Sequence, residues 1–345
     1  MNTNLLVDLL AIDSPTGFTH DAINWLDTLL LSWNVQTRRT RKGALVATFG
    51  EGPSLAIAAH VDTLGFIVSD INSNGTLAFS PLGGPLLPSF EGAYVRVHTA
   101  AGEVIPGTVL LNNPSAHSNS KAGTVERTTS AMHIRLDAVV QSAGDAKSFG
   151  IRAGDIVAVD ARTQVLANGF IKSHFLDNKA GCFVLLEIAQ RLSHRDAKPP
   201  IELFFSNYEE VGHGGATGYA PTTEELLVID MGVVGDGLTG NETLCSICAK
   251  DSGGPYDYGM RRRLERLAVE QNIATSTDVY PFYSSDGTAA WRAGVDCRVG
   301  LIGPGVHASH GMERAHVDGI RATIDLSMAY IDSLVASSEN RTPSA

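Results

Sequence analysis

Apolar residues recur at helical spacing from Thr19 to Trp33, at Ile23, Leu26, Leu29, Leu30 and Trp33, with polar positions between them. That stripe predicts an amphipathic helix lying on a sheet. A second stripe, at Ile320, Ile324, Met328, Ile331 and Leu334, predicts another near 317–335. Short apolar runs at 44–49, 54–59, 201–206, 226–229 and 299–302 read as buried strands, since a strand covered on both faces loses its alternation. Ala180 to Leu192 is apolar almost all round, the pattern of a buried helix. Tyr256 to Val269 reads as a helix, and Tyr283 to Thr288 as a loop leading into one. Strands alternating with helices predict an α/β fold built on a mixed sheet.

From about Phe66 to Arg162 helical periodicity gives way to hairpin signals. Asn74-Gly75 and Ala101-Gly102, with Asn168-Gly169 just beyond, each separate strand-like runs. These residues predict a small β-barrel-like domain, 66–162, inserted into a discontinuous α/β domain formed by 1–65 and 163–345. Asn112 to Met132, rich in Ser, Thr, Asn and Ala, reads as a long flexible or functional loop.

Composition narrows the classes. The chain has 345 residues, 43% of them hydrophobic, and a formal charge of −11. An acidic surface repels phosphate backbones and anionic lipid, so neither nucleic acid nor a membrane is an expected partner. The basic cluster at Arg261, Arg262, Arg263 and Arg266 sits beside Glu265 and reads as a solvated helix face or a subunit contact. Cys182, Cys245, Cys248 and Cys297 are too scattered for a disulfide framework, and the Cys245/Cys248 pair has no second pair to complete a zinc site. The N-terminal stretch has no basic region, and no segment reaches the roughly 18 apolar residues of a membrane span. The expected compartment is the cytoplasm.

Chemistry collects where strands stop. The run Ser54 to Ala59 ends in His60-Val61-Asp62, a pairing that suits a metal-bound imidazole oriented by a carboxylate. FLDNKAG sets Asp177 at a strand-to-helix break, although an Asp there also reads as a plain N-cap. Ile201 to Ser206 runs into Glu209-Glu210; on a strand these neighbours would face opposite ways and so do different work. Leu226 to Ile229 ends in Asp230, and Val299 to Ile302 is followed by Gly303-Pro304-Gly305 and a histidine-rich segment, VHASHGMERAH. Carboxyl ends of strands are where α/β sheets put their sites. Five such ends match a two-metal hydrolase, which needs a few nitrogen and oxygen ligands, a bridging carboxylate and a free carboxylate as base.

AAHVDTLGFIV, FLDNKAG, SNYEEVGHGGA and LVIDMG fall in the order and approximate spacing of the M42 metallo-aminopeptidases, which this sequence resembles over nearly its whole length. The resemblance implies a catalytic domain of the co-catalytic zinc peptidase type, with His60 and Asp230 on one metal, Glu210 and a C-terminal histidine on the other, and Asp177 bridging. It implies Glu209 as general base on a metal-bridging water and Asp62 as the residue orienting His60. Of His307, His310 and His316, His310 is chosen, because SHGMER fits the family's closing histidine followed by a nearby Glu. His213 departs from the family pattern and is expected in the pocket wall or as a hydrogen-bond donor.

The implied cofactors are two divalent ions per chain, Zn²⁺ or Co²⁺; ligands without thiolates do not choose between them. The implied partners are short peptides, cleaved from the N-terminus, and other copies of the chain in a homo-oligomer, a dodecamer in many family members. KDSGGPYDYG and HGMERAH are also similar to a subgroup associated with the osmoprotectant N-acetylglutaminylglutamine amide, which suggests a specialised peptide or amide substrate as an alternative. A glycosidase would need two carboxyls facing one sugar bond, and a non-catalytic metal scaffold would not need Glu209. No GxSxG points to a nucleophilic serine.

Overall fold

The computed structural model describes residues 1–339, with side chains through 335. Its largest sheet has thirteen strands, and the main path runs Gln36–Arg39, Leu45–Phe49, Ile201–Ser206, Leu55–His60, Glu225–Ile229, Arg298–His307, Glu313–His316, Phe170–Ser173 and Gln164–Val165. Leu55–His60 lies parallel to both Ile201–Ser206 and Glu225–Ile229, and Glu225–Ile229 is parallel to Arg298–His307. All residues of the three strands Leu55–His60, Ile201–Ser206 and Glu225–Ile229 are buried, which is why each reads as a mainly apolar run without alternation.

Alternation sorts these strands between two cores. Leu55, Ile57 and Ala59 face one core, while Ala56 and Ala58 face the other. The first is covered by the helices His20–Ser32, Leu176–Ser193 and Val317–Glu339. Along Leu176–Ser193, Phe183, Leu185, Leu186 and Ile188 are fully buried; truncating one of these leucines to Ala is of the kind that costs about 2–5 kcal/mol. On the other face Tyr280 and Ala290 pack against Val46, Phe204, Leu226 and Val228.

Six antiparallel strands between Gly65 and Val159 close a barrel. Phe66, Phe79 and Phe90 fill it, with ring centroids 4.6 Å apart for Phe66 and Phe79 and 5.8 Å for Phe66 and Phe90. Asn74-Gly75 and Ala101-Gly102 fall in turns joining adjacent barrel strands, and Asn168-Gly169 joins Gln164–Val165 to Phe170–Ser173. Arg96 of the barrel makes a two-pronged ion pair with Asp13 (2.6 and 2.8 Å), and His98 joins it at 2.8 Å. Burial alone would raise the Asp13 pKa, but its hydrogen bonds to Arg96 and His98 hold it down to about 2.

Some boundaries differ from expectation. The strand near 299–302 does not stop at Gly303-Pro304-Gly305 but runs on to His307. There the chain exchanges one neighbour for another: Gly305 to His307 pair with Gly232–Val234. The helix near 256–269 spans Tyr258–Glu270, with Asp257 as its N-cap accepting from the Met260 N–H. Cys245 and Cys248 lie buried on one strand, Cys245–Asp251, and all four cysteines are free. No helix among the described residues is long and apolar enough to cross a membrane.

Candidate active site

The register of the parallel strands brings the site together. Ser206 lies opposite His60, and Val228 opposite Ala58, so the chain leaves neighbouring strands at nearly one level. His60 is buried. Its Nδ1–H donates to the Asp62 carbonyl at 3.0 Å, and Nδ1 lies 3.6 Å from the Asp62 carboxylate. Its Nε2 faces Asp177 Oδ1 at 3.3 Å, Glu209 Oε2 at 3.6 Å and Asp230 Oδ1 at 3.8 Å. His310 repeats the arrangement. Its Nδ1–H donates to the Gly84 carbonyl at 2.8 Å, and its Nε2 faces Glu210 Oε2 at 3.6 Å and Asp177 Oδ2 at 3.7 Å. A backbone acceptor on Nδ1 turns the Nε2 lone pair of each imidazole toward the carboxylates.

Asp177 does not cap its helix. Helical geometry lapses at Asp177 (ψ 102°) and Asn178 (ψ 35°), which swings the Asp177 side chain out of the helix and into the cluster. The neighbouring residues fix that turn. Asn178 donates to the Ile229 carbonyl (2.8 Å), and Lys179 donates to the carbonyls of Leu9 (3.0 Å) and Ile12 (2.5 Å).

Glu209 and Glu210 are not on a strand. They form the 3₁₀ turn Glu209–Val211, so the alternation rule does not separate them and both reach the cluster. Asp62 holds the turn from below, accepting the Glu209 N–H at 3.1 Å, the Glu210 N–H at 3.3 Å and the Thr16 hydroxyl at 2.7 Å. Phe175, Tyr208 and His310 are non-glycine residues with φ of 70°, 66° and 62°. Such left-handed residues cost on the order of 1–3 kcal/mol each and persist where surrounding contacts over-determine them. Here each flanks or forms part of the cluster.

Four carboxylates and two imidazoles in so small a volume distort one another. Burial works against charge on His60, but Glu209, Asp177 and Asp62 raise its pKa well above the usual imidazole value. Burial, with neighbouring carboxylates, raises Glu209 and Glu210 well above the carboxylate range and pushes Asp230 up to about 8. Asp177 is also pushed up by burial, yet His60 and His310 bring it below its ordinary value. His60 Nε2 and Glu210 Oε1 are buried with no hydrogen-bond partner among the described residues. His60, Asp177 and Glu210 each offer a ligand atom within 4.8 Å of the others. Unpartnered buried donor atoms amid surplus negative charge are what divalent cations satisfy.

The profile of the M42 glutamyl aminopeptidases matches residues 43–326. The chain belongs to the M42 peptidase family. It is 42% identical over 334 residues to the putative aminopeptidase YhfE of Bacillus subtilis, covering 95% of this chain and 96% of that one. The fold is similar to a TET aminopeptidase from a marine-sediment Thaumarchaeota archaeon, with a TM-score of 0.87, 20% identity and coverage of 97% and 98% of the two chains. It is also similar to the Pyrococcus horikoshii TET1 peptidase, described as assembling into a tetrahedron or a large octahedral shell (TM-score 0.80, 20% identity, 95% and 98% covered). The M42 chain is thus a peptide hydrolase, with a large mixed sheet and a small barrel.

The cluster opens into a cavity of about 660 Å³, walled in part by Leu86, Met231, Val233, Tyr283 and Arg292. His213 is not in its wall. Its ring stacks on Tyr208 (centroids 5.3 Å apart), and its carbonyl accepts from Lys42, so Gly212 takes the place at the cavity. His307 is exposed at the end of its strand, and His316 Nε2–H donates to the Asn168 carbonyl at 2.9 Å.

Sequence reasoning missed several supporting residues. Asp286, placed in a loop, begins the helix Asp286–Arg292, and accepts from the Ser206 hydroxyl and from the Gly215 N–H (2.6 Å), tying down both ends of the segment that carries Glu209 and Glu210. A Cβ on Gly214 would stand 2.3 Å from Asp286 Oδ1 and 2.9 Å from the Glu209 backbone, so only glycine lets the segment close. The available signal is SSDGT, in which Ser285 and Thr288 form the capping box of that helix.

Proposed function

We propose that this M42 peptidase is a dinuclear aminopeptidase, removing N-terminal residues from short peptides. His60, Asp177 and Asp230 would hold one divalent cation, and His310, Asp177 and Glu210 the other. The observation that carries this reading is Asp177, which turns one carboxylate oxygen to each histidine. When bound, zinc or cobalt ions supply Lewis acidity toward water and a peptide carbonyl.

The chain's own residues do the rest. Glu209 Oε2 takes a proton from the attacking water and passes it to the leaving amine. Its burial and its carboxylate neighbours raise its basicity well above that of an ordinary carboxylate, which strengthens it as a proton acceptor. Asp62 keeps His60 and the Glu209–Glu210 turn in place. The surplus of carboxylates suits the α-amine of a peptide. Arg292, whose side chain has no hydrogen-bond or ion-pair partner among the described residues, offers an anionic substrate group a counter-charge in the same cavity. We place the enzyme in the cytoplasm as a homo-oligomer, on the precedent of the TET assemblies.

The test is a matched set of short peptides with free and acetylated N-termini, followed by mass spectrometry. Stepwise loss from the free peptides is expected, with the acetylated ones slower by about 10⁴-fold, since buried polar groups lose their partner. Preference for acetylated peptides would overturn the aminopeptidase reading and point to a specialised amide substrate.

A further inference from the structure

Glu313 is buried, with 2% of its surface exposed, and among the described residues no Lys or Arg pairs with it. A group so placed needs a reason to be a carboxylate at all. Its two oxygens supply one: Oε2 accepts the Asp177 N–H at 3.0 Å, and Oε1 accepts the His310 N–H at 3.1 Å. The second bond is local, closing a turn three residues long. The first spans 136 positions in sequence and joins two different elements.

We propose that Glu313 is a positioning residue that sets the separation of Asp177 and His310, and thereby governs how well the cation site between them binds. This rests on the reading of those two residues as ligands. Glu313 stands directly opposite Ser173, at the end of the strand leading to the Asp177 turn, so its carboxylate is rigidly placed relative to that turn. His310 has a left-handed backbone, and an acceptor on its N–H keeps it there. A simple turn closer would need only the His310 bond, which a glutamine could also make. The two N–H groups sit on two different oxygens, and a glutamine in the same place would turn its NH₂ toward one of these donors, so holding both as they stand needs a carboxylate. Asp62 does the same for Glu209 and Glu210, so each half of the cluster hangs from one carboxylate.

The loop has other supports. The Gly311 carbonyl accepts from His174 Nδ1–H at 2.6 Å, and the His310 carbonyl accepts from the Leu86 N–H at 3.1 Å. Glu313→Gln is therefore expected to fold.

The experiment titrates metal-free wild type, Glu313→Gln and His310→Ala with zinc chloride by calorimetry, alongside amide hydrogen exchange of the metal-free proteins. Wild type is expected to protect the Asp177 and His310 amides, and Glu313→Gln to lose protection at one or both while the strand Ile201–Ser206 is unchanged. The binding class abolished in His310→Ala is expected to weaken about 10–100-fold in Glu313→Gln, the usual effect of removing a partner that orients a ligand, and the other class, which shares Asp177 but not His310, to weaken less. Equal weakening of both classes, no weakening, or unprotected wild-type amides overturns the proposal. Wild type that takes up no zinc overturns the two-cation reading instead, and the exchange result then judges the clamp alone. Should the Gln variant fail to fold, Glu313→Asp replaces it, being too short to reach both N–H groups. Failure of both to fold assigns Glu313 to folding and overturns the positioning role.

Discussion

Glu209 donates its backbone N–H to Asp62 at 3.1 Å, and the same Asp62 contacts His60. The proposed proton acceptor and a proposed metal ligand are therefore placed by one buried residue. Substitutions at Glu209 that keep the main chain should leave the site assembled. Glu209→Gln is expected to retain its metal and lose turnover by about 10²–10⁴-fold, whereas Glu210→Gln is expected to lose metal first. Metal content and kcat of the two variants, measured side by side, decide it; the reverse pattern exchanges the roles.

Only one of the three C-terminal histidines turns its Nε2 to the carboxylates. His310→Ala is expected to leave one ion per chain by elemental analysis. His307→Ala and His316→Ala, whose side chains lie elsewhere, should keep the wild-type content. Loss of an ion in the His307 variant would move the site upstream.

The metal-free protein should lose stability as pH rises. Asp230, Glu209 and Glu210 have raised pKa values when folded, so the folded chain holds protons that the unfolded chain releases above the ordinary carboxylate range. The raised pKa of His60 acts in the same sense: its stabilising effect is full below the ordinary imidazole value and is lost as pH passes its folded value. Asp177 acts oppositely, but only at acid pH, below its ordinary value. Melting temperatures of chelated protein should therefore fall between about pH 5 and pH 9. Added zinc should restore more at the upper end, where fewer protons compete. A flat profile would show that the cluster does not hold those protons.

Arg292 gives the cavity a positive group with no side-chain partner among the described residues. Arg292→Ala is expected to lower kcat/KM for peptides with an acidic side chain or a nearby free carboxylate by roughly tenfold or more, the worth of a charge-assisted hydrogen bond. Neutral, C-terminally amidated peptides should be little affected. An equal loss on both sets would mean that Arg292 supports the fold rather than the substrate.

The strands were legible because a strand buried on both faces leaves an apolar run that stops at its polar end, as Leu55–His60 and Glu225–Ile229 do. What was not legible depended on the third dimension. The Glu209–Glu210 pair reads as strand because it follows one, yet Asp62, 147 residues earlier, bends it into a 3₁₀ turn. Arg298–His307 runs through Gly-Pro-Gly because neighbouring chain presses close: a Cβ on Gly303 would stand 1.5 Å from the Asp230 carbonyl oxygen. Asp286 reaches its Ser206 partner across 80 positions, and no local pattern announces such a bond. His213, conspicuous in sequence, is taken up by Tyr208.

The acceptor that orients His310, the Gly84 carbonyl, belongs to the segment that follows the barrel strand Leu77–Leu82, and its neighbour Gly83 adopts φ +75° where a Cβ would strike Leu64 and come within 3.2 Å of Glu210. A chimaera that exchanged the barrel wholesale would thus also exchange part of the environment of two proposed ligands. Transplants meant to alter only the outer surface should cut inside the barrel, beyond Gly83 and Gly84, so that these two residues travel with the sheet they serve.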